Sequence, residues 1–332
     1  MAYLHDARER SIAKIAEVVD CLKQAEDIVG GHACVYATGS FGRLEAGEKS
    51  DLDLFIVINT HEEVKDSAKI IVNSLSGISE IKLKMQLIEA VEANEIAEFD
   101  GDGRYLESHR FDDYTKWLGT REDDFRNTLT GRLLLLLESK CLVGEVLYCR
   151  LIDSVVEDYF KDFPVNSDKF IPAFLVNDIL RMWRTFCVNY ESRRKKGNSD
   201  SRIKNLKLKY SRMLTCYSAI LWILHIYVKN GTVSPDDIKM IVSKTPTERL
   251  ECVQSDCHDL TVKNKLKDLS ESYGLFLSLV HKDKDAALKD FVANEAEWKE
   301  RSYQFGRDFA STLSMINALS ERNNALYRMI VI

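Results

Sequence analysis

Two aspartates, Asp51 and Asp53, stand one residue apart at the start of a short apolar run, residues 54–58. Side chains alternate between the two faces of a β-strand, so these carboxylates would point the same way. Two like charges held this close raise the free energy unless something neutralises them. Mg²⁺ binds oxygen ligands, typically one or two carboxylates together with substrate phosphates. The pair therefore predicts a site for Mg²⁺ or Mn²⁺ with both aspartates as ligands.

The residues just upstream have the chemistry to bind phosphate. Gly39 and Ser40 offer backbone N–H groups and a hydroxyl, and a short helix after them would favour an anion. Arg43 adds a planar fork of donors for phosphate oxygens. Two divalent ions about 3.5–4 Å apart can activate an attacking hydroxyl and stabilise the leaving oxygen of an in-line displacement. The pattern favours such a displacement on a triphosphate.

The segment GSFGRLEAGEKSDLDLFIV, residues 39–57, resembles the polymerase-β-like nucleotidyltransferase superfamily. The signature of that superfamily is Gly-Ser, a short gap, and Asp-hydrophobic-Asp on a strand. The segment looks most like the branch that includes the catalytic domain of PII-protein uridylyltransferases and related nucleotidyltransferases. In that branch an Arg and a Glu, here Arg43 and Glu45, stand between the two halves of the motif. We expect Glu45 to fix the loop by pairing with a nearby Arg.

The resemblance implies a metal-dependent enzyme that moves NMP from an NTP, such as ATP, to an acceptor hydroxyl and releases pyrophosphate. The acceptor would be a protein side chain, a tRNA end, a small molecule or a second nucleotide. Asp51 and Asp53 would be the catalytic metal ligands. The implied nucleotide-binding residues are Gly39, Ser40, Arg43 and Ser50.

Active members of the superfamily generally have a third carboxylate on a neighbouring strand, where it binds metal and helps to deprotonate the acceptor. The candidate strand here, residues 80–90, has Gln86 at its centre and Glu89 near its end. Asp100 and Asp102 are two further candidates. Absence of the third carboxylate would favour a catalytically silent nucleotide-binding module of the same fold, and a helical interaction protein that binds no nucleotide is a third hypothesis.

Hydrophobic periodicity predicts a mixed α/β unit followed by helices. The order in the first part is a helix over 7–29, strands over 33–38 and 51–58, a helix over 62–76 and a strand over 80–90. Beyond residue 125 the patterns are long and have a period near 3.6, which predicts helices. The predicted fold is α+β, with a nucleotidyltransferase catalytic domain over 1–125 and an all-helical domain over 126–332.

A basic segment, residues 193–212, has two interpretations. Its charges could bind a triphosphate or a nucleic-acid backbone, with Lys207 as a nucleotide-binding residue, or they could form a solvated helix face. Its basic residues are Arg193, Arg194, Lys195, Lys196, Arg202, Lys204, Lys207, Lys209 and Arg212.

Composition narrows the class of protein. The 332 residues have a net charge of −6, which excludes a chain that is basic throughout. The charged N-terminal segment lacks an apolar signal core, and the longest apolar stretch, residues 219–228, contains His225 and is too short to cross a bilayer. We therefore expect a soluble cytoplasmic protein with no membrane partner.

Eight cysteines form no CxxC pair, which favours reduced side chains that pack as small hydrophobes. Residues 252–258, CVQSDCH, could hold zinc only with a further ligand, so loop cysteines are the simpler interpretation. His258-Asp259 invites a comparison with metal-dependent phosphohydrolases, but His225, upstream of it, lies in an apolar helical run that favours a core position.

Overall fold

The computed structural model describes residues 2–65, 68–97, 106–193, 199–320 and 324–331. The chain divides into two compact units. The N-terminal unit is His5–Asp158, and the C-terminal unit is Tyr159–Ile332 together with Met1–Leu4.

The N-terminal unit combines strands and helices, as the sequence predicts. Its first elements are α1 (Ala2–Cys21), α2 (Lys23–Val29), β1 (Ala33–Ala37), α3 (Gly39–Gly42), β2 (Leu54–Ile58), β3 (Thr60–Lys65), β4 (Ala68–Asn73) and α4 (Gly77–Ala93). The remainder are β5 (Ser108–Arg110), α5 (Asp113–Lys116), α6 (Arg121–Phe125), α7 (Thr128–Glu138), β6 (Lys140–Val143) and α8 (Glu145–Tyr159).

A mixed four-stranded sheet in the order β5-β2-β1-β6 forms the centre of this unit. β1 is antiparallel to β2 and to β6, whereas β2 and β5 are parallel. One face of the sheet presents Val35, Leu54 and Ile56 to α1, α2 and α4, which add Leu22 and Leu83 among others to a single apolar core. These residues are fully or almost fully buried, so the sheet and the three helices stabilise one another.

The opposite face of the sheet is more polar. The Tyr36 ring stacks on Phe55 with centroids 5.4 Å apart, and its hydroxyl lies 2.7 Å from that of Tyr114. Burial raises the pKa of both tyrosines, so both stay protonated. α7 packs here, because a Cβ at Gly131 would lie 3.4 Å from the Phe55 ring. The strand residues that alternate with the core residues, such as Tyr36 and Phe55, therefore face α7.

Two predicted elements are wrong. The predicted helix over 62–76 is instead the hairpin of β3 and β4, which pair from Thr60↔Asn73 to Lys65↔Ala68. The predicted strand over 80–90 is α4, which begins after Ser76, whose hydroxyl accepts from the Ser79 N–H at 3.1 Å. Its alternating apolar residues occupy two opposite faces of a helix, and period-two alternation alone does not distinguish the two cases.

The predicted domain boundary at residues 125–126 falls at the end of α6. The compact unit continues to residue 158, because β6 pairs with β1 and α7 lies against the sheet. Sequence periodicity assigned these later residues to helices without revealing β6, which is only four residues long.

The C-terminal unit is helical, as predicted. It comprises α9 (Phe163–Asn166), α10 (Ala173–Arg193), α11 (Ser199–Lys207), a π-helical turn (Leu208–Arg212), α12 (Met213–Asn230) and α13 (Pro235–Ser243). Then follow α14 (Pro246–Asp256), α15 (Leu260–Val280), α16 (Lys284–Ala293), α17 (Glu295–Ala318) and α18 (Ala325–Val331). Most residues of α12 are buried, and the Tyr210 ring stacks on Phe276 with centroids 4.6 Å apart.

Among the described residues one helical stretch, Ser201–Asn230, is long and apolar enough by composition to span a membrane. The apolar stretch at residues 219–228, on which the expectation of no membrane segment depends, is only the last part of this longer helix. However, 67% of its apolar window is buried inside the protein, and a helix at the centre of a helical unit has the same composition.

A buried ion pair joins α6 to α7, and we expect its loss to destabilise the N-terminal unit. Arg132 donates to both carboxylate oxygens of Asp123 at 3.0 and 2.6 Å, and both side chains are fully buried. Arg132→Met leaves the Asp123 charge buried without its guanidinium, which should lower the free energy of unfolding by about 3–5 kcal/mol. Hydrogen exchange of β1 under increasing urea measures this unit alone.

The matched control is Arg121→Met, because the Arg121 side chain is 93% exposed. It should leave the exchange of β1 unchanged within about 0.5 kcal/mol. Equal effects of the two substitutions would contradict a stabilising role for the buried pair.

Candidate active site

The loop between β1 and β2 brings Gly39 against Asp53. The Thr38 N–H donates to the Asp53 carbonyl at 2.8 Å, which joins the end of β1 to the start of β2. Gly39 follows with φ of +63°, a conformation that favours glycine. A Cβ atom at position 39 would lie 2.6 Å from Asp53 Oδ2. Only a residue without a side chain therefore lets this carboxylate lie beside the turn.

Buried ionic contacts hold the loop in place. Arg43 is only 7% exposed, pairs with Glu45, and donates from Nη1 to Glu138 Oε2 at 2.8 Å. A Cβ at Gly42 would lie 1.9 Å from the Glu138 carbonyl oxygen, so α3 packs directly on the end of α7. The predicted pairing of Glu45 with an Arg is confirmed. The two carboxylates give Arg43 a structural position rather than that of an open phosphate ligand.

The second half of the loop forms a turn that leads to the aspartates. The Gly47 N–H donates to Ser50 Oγ at 2.9 Å, and the Ser50 N–H donates to the Gly47 carbonyl at 3.1 Å. Asp51 is exposed and forms an isolated bridge with Ala97, and Asp53 is half-buried immediately before β2. Ser50 thus shapes the turn, and the two carboxylates stand at its exit.

Among the described residues, the predicted strand positions for a third carboxylate do not supply one at this site. Gln86 and Glu89 lie on α4, where Gln86 Nε2 donates to Glu89 Oε2 at 2.7 Å. α4 covers the apolar face of the sheet, whereas Asp53 alternates with Leu54 and belongs to the other face. Asp100 and Asp102 lie outside the described residues.

Sequence analysis missed Glu107, which the register of β5 brings towards the aspartates. Ile56 pairs with Ser108 in parallel, so Glu107 precedes β5 beside Phe55, on the same face as Asp53. His109 confirms that face, because its ring lies 5.4 Å from that of Phe55. The alternation of Glu107 and His109 before a turn could have indicated a short strand. The wrong prediction of a strand over residues 80–90 left no role for a strand at β5.

His109 lies next to Glu107, and its pKa depends on burial and on the charges around it. Burial lowers the pKa of His109 more than the nearby Glu107 and Asp113 charges raise it, so the imidazole is neutral at pH 7. Glu107 itself is exposed. An exposed carboxylate beside a neutral imidazole can bind a cation or accept a proton.

A carboxylate pair beside a glycine turn fits a divalent cation with phosphate ligands. Asp51 and Asp53 supply hard oxygen donors, and the Gly39 turn leaves room beside Asp53 that a Cβ would fill. Across the described ranges no group of three or more His, Cys, Asp or Glu side chains is placed to hold a metal. The expected cation site therefore depends on the carboxylates of Asp51 and Asp53 alone among the described residues.

The basic segment lies in the C-terminal unit. Several of its described side chains have partners within that unit. Arg202 donates to Glu295 at 2.7 Å, and Lys209 Nζ lies 3.8 Å from the centroid of the Tyr303 ring. Lys207 is exposed near the end of α11. Side chains 193–196 lie outside the described part, and a nucleotide contact by Lys207 stays a prediction.

The candidate zinc-binding residues 252–258 lie at the end of α14, where neighbouring charged side chains form hydrogen bonds within and between helices. Asp256 accepts from His225 Nε2 at 2.7 Å and from Lys229 at 2.6 Å, and these partners lower its pKa. Asp259 caps α15 by accepting from two backbone N–H groups at 2.8 and 2.9 Å. Cys257 is buried. These contacts give the charged residues structural positions.

Residues 15–129 match the family model of the nucleotidyltransferase domain. No curated protein and no solved structure matches the chain significantly. The matched residues include the Gly39 turn, both aspartates and Glu107. The N-terminal unit therefore contains a nucleotidyltransferase domain of the polymerase-β-like superfamily. The finer resemblance to PII-protein uridylyltransferases stays a prediction.

Gly39→Ala should displace Asp53 and weaken metal binding. The substitution adds a Cβ 2.6 Å from Asp53 Oδ2 at a backbone φ of +63°. The affinity for Mn²⁺, measured by electron paramagnetic resonance of the free ion, should fall at least about tenfold, or about 1.4 kcal/mol.

Gly31→Ala is the matched control. Gly31 has φ of +77°, but a Cβ there meets no atom within 4 Å. It should reproduce the backbone strain, of order 1–2 kcal/mol in stability, with unchanged Mn²⁺ affinity. Equal Mn²⁺ affinities of the two variants would contradict the close approach of Asp53 as the reason for Gly39.

Proposed function

We propose that the N-terminal unit transfers NMP from an NTP to an acceptor hydroxyl and releases pyrophosphate, with Asp51 and Asp53 as ligands of Mg²⁺ or Mn²⁺. The observation that carries this proposal is the approach of the Asp53 carboxylate to the Gly39 turn. The carboxylate that we propose as a metal ligand therefore lies next to the backbone that we propose as the phosphate-binding turn. The match of residues 15–129 to the nucleotidyltransferase domain supports the same reaction class.

Each residue of the loop has a distinct role in this proposal. Backbone N–H groups at Gly39 and Ser40 bind the β- and γ-phosphates, and Ser50 fixes the turn before Asp51. The Arg43 contacts with Glu45 and Glu138 keep the turn rigid without touching the nucleotide. Divalent cations held by Asp51 and Asp53 would neutralise charge at the phosphates and favour loss of the acceptor hydroxyl proton.

Glu107 is proposed as the third carboxylate. It lies two residues further along the sheet than Asp53 and on the neighbouring strand. With a rise of about 3.4 Å per residue and about 4.8 Å between strands, the two Cα atoms are about 8 Å apart. Side chains on one face at this distance can reach a common substrate.

In the proposed reaction the acceptor oxygen attacks the α-phosphorus, and a Glu107 carboxylate oxygen accepts the hydroxyl proton. The bond from the α-phosphorus to the α–β bridging oxygen breaks, and pyrophosphate leaves. Asp51 and Asp53 hold the cations throughout and exchange no proton with the substrates. General-base assistance of this kind contributes about 10²–10⁴-fold to a rate.

Transfer of an α-³²P-labelled nucleotide tests the site. The full chain is incubated with each labelled NTP, Mg²⁺ or Mn²⁺, and a cell extract that supplies acceptors. The double variant Asp51→Asn, Asp53→Asn should abolish transfer, because it removes the metal ligands. Glu107→Gln should lower the rate at least about 100-fold with unchanged NTP affinity, because it removes only the base.

The matched control is Glu63→Gln, which changes an exposed carboxylate on β3. It should leave the rate unchanged. Transfer that survives in the double aspartate variant would overturn the proposed site. Metal-dependent NTP binding in calorimetry, with no transfer for any NTP, would instead support the silent nucleotide-binding module.

A further inference from the structure

α4 is apolar on two opposite faces. One face, with Leu83, Leu87 and Ala90, is buried in the core below the sheet. A surface helix ordinarily turns polar residues to solvent on its other face. The outer face of α4 instead exposes four large apolar side chains, Ile78 (70%), Ile81 (61%), Met85 (54%) and Ile88 (39%).

The exposed residues form a continuous seam. Their spacings of three, four and three residues are those of the a and d positions of a heptad repeat. At about 100° per residue they lie within an arc of about 80°, so one partner helix can cover all four. A contiguous apolar strip of this kind on a folded protein marks an interaction surface.

The charges beside the seam select a partner. Lys84 and Glu89 occupy the g and e positions that flank it. In a parallel pair of identical helices, Lys84 of each copy faces Glu89 of the other, and the two-fold axis makes this attraction twice. In an antiparallel pair Lys82 and Lys84 would each face their own counterparts. Between Ile78 and Ile88 the seam is therefore complementary to itself in the parallel orientation.

Existing contacts leave these groups able to pair. Lys84 Nζ donates to Glu80 at 2.7 Å, and Glu89 accepts from Gln86 at 2.7 Å. An ammonium group has three donors and a carboxylate has about four acceptor sites, so each can add a partner. Glu80 and Gln86 thus orient the two charges without occupying them fully.

We propose that the seam of α4 binds the seam of a second copy of this chain, in parallel, to form a two-fold symmetric dimer. The seam from Ile78 to Ile88 is about 15 Å long, which is short for a coiled coil. We therefore expect a dissociation constant in the micromolar range. α4 covers the sheet face opposite Asp53, so the dimer leaves the proposed catalytic face free, and it does not depend on the proposed function.

Sedimentation velocity of the full chain from about 1 to 200 μM tests the dimer. The mass should rise with concentration from 38.0 kDa towards twice that value. Ile81→Glu with Met85→Glu should stay monomeric throughout, since it places charges in the seam. Val146→Glu is the matched control, because Val146 is 82% exposed outside α4, and it should dimerise like the unchanged chain.

A monomeric unchanged chain across this range, or a dimer that persists in the double glutamate variant, would overturn the proposal. Orientation is tested by oxidising Met85→Cys with copper phenanthroline, with the unchanged chain as background for native Cys21 and Cys149. A parallel dimer cross-links position 85 to itself. A cross-link that forms only when Ile81→Cys and Met85→Cys chains are mixed would overturn the parallel orientation.

Discussion

The contact between the Asp53 carboxylate and the Cα of Gly39 sets the geometry of the N-terminal unit around its candidate site. This approach requires the end of β1 to lie beside the start of β2. The hydrogen bond from the Thr38 N–H to the Asp53 carbonyl stabilises that alignment. Their antiparallel register, from Ala33↔Ile58 to Ala37↔Leu54, fixes the faces of all the residues that follow. The apolar residues of β2 then enter the core, and Asp53 and Phe55 turn to the other side.

That alignment needs a rigid loop, and α7 supplies the rigidity. Glu138 at the end of α7 accepts from Arg43, and its carbonyl touches Gly42. A buried ion pair stabilises a fold only when its geometry and remaining hydrogen bonds are satisfied. Here Glu45 gives the same guanidinium a second partner. A helix whose sequence predicts only apolar core thus positions the Gly39 turn through its last residue, Glu138.

The local motif could be predicted from sequence because its chemistry is contained in a few adjacent residues. Gly39, Asp51 and Asp53 need only their spacing and a strand to be recognised. The proposed third carboxylate, Glu107, could not be found in this way, because its position depends on which strand lies next to β2. β5 has only three residues, too few for a periodic signal, and its pairing is a long-range property of the fold. Glu107 becomes visible only through that register.

The misassigned α4 and the proposed dimer have one physical origin. Apolar residues at 81, 83, 85 and 87 alternate as they would on a half-buried strand. On the helix, Leu83 and Leu87 face the core, whereas Ile81 and Met85 face solvent. On a half-buried strand all four apolar residues would face the core. On the helix, two of the four have no apolar environment within the described part of the chain. The proposed dimer gives these residues an apolar environment, because the Lys84 and Glu89 flanks make another α4 a complementary surface.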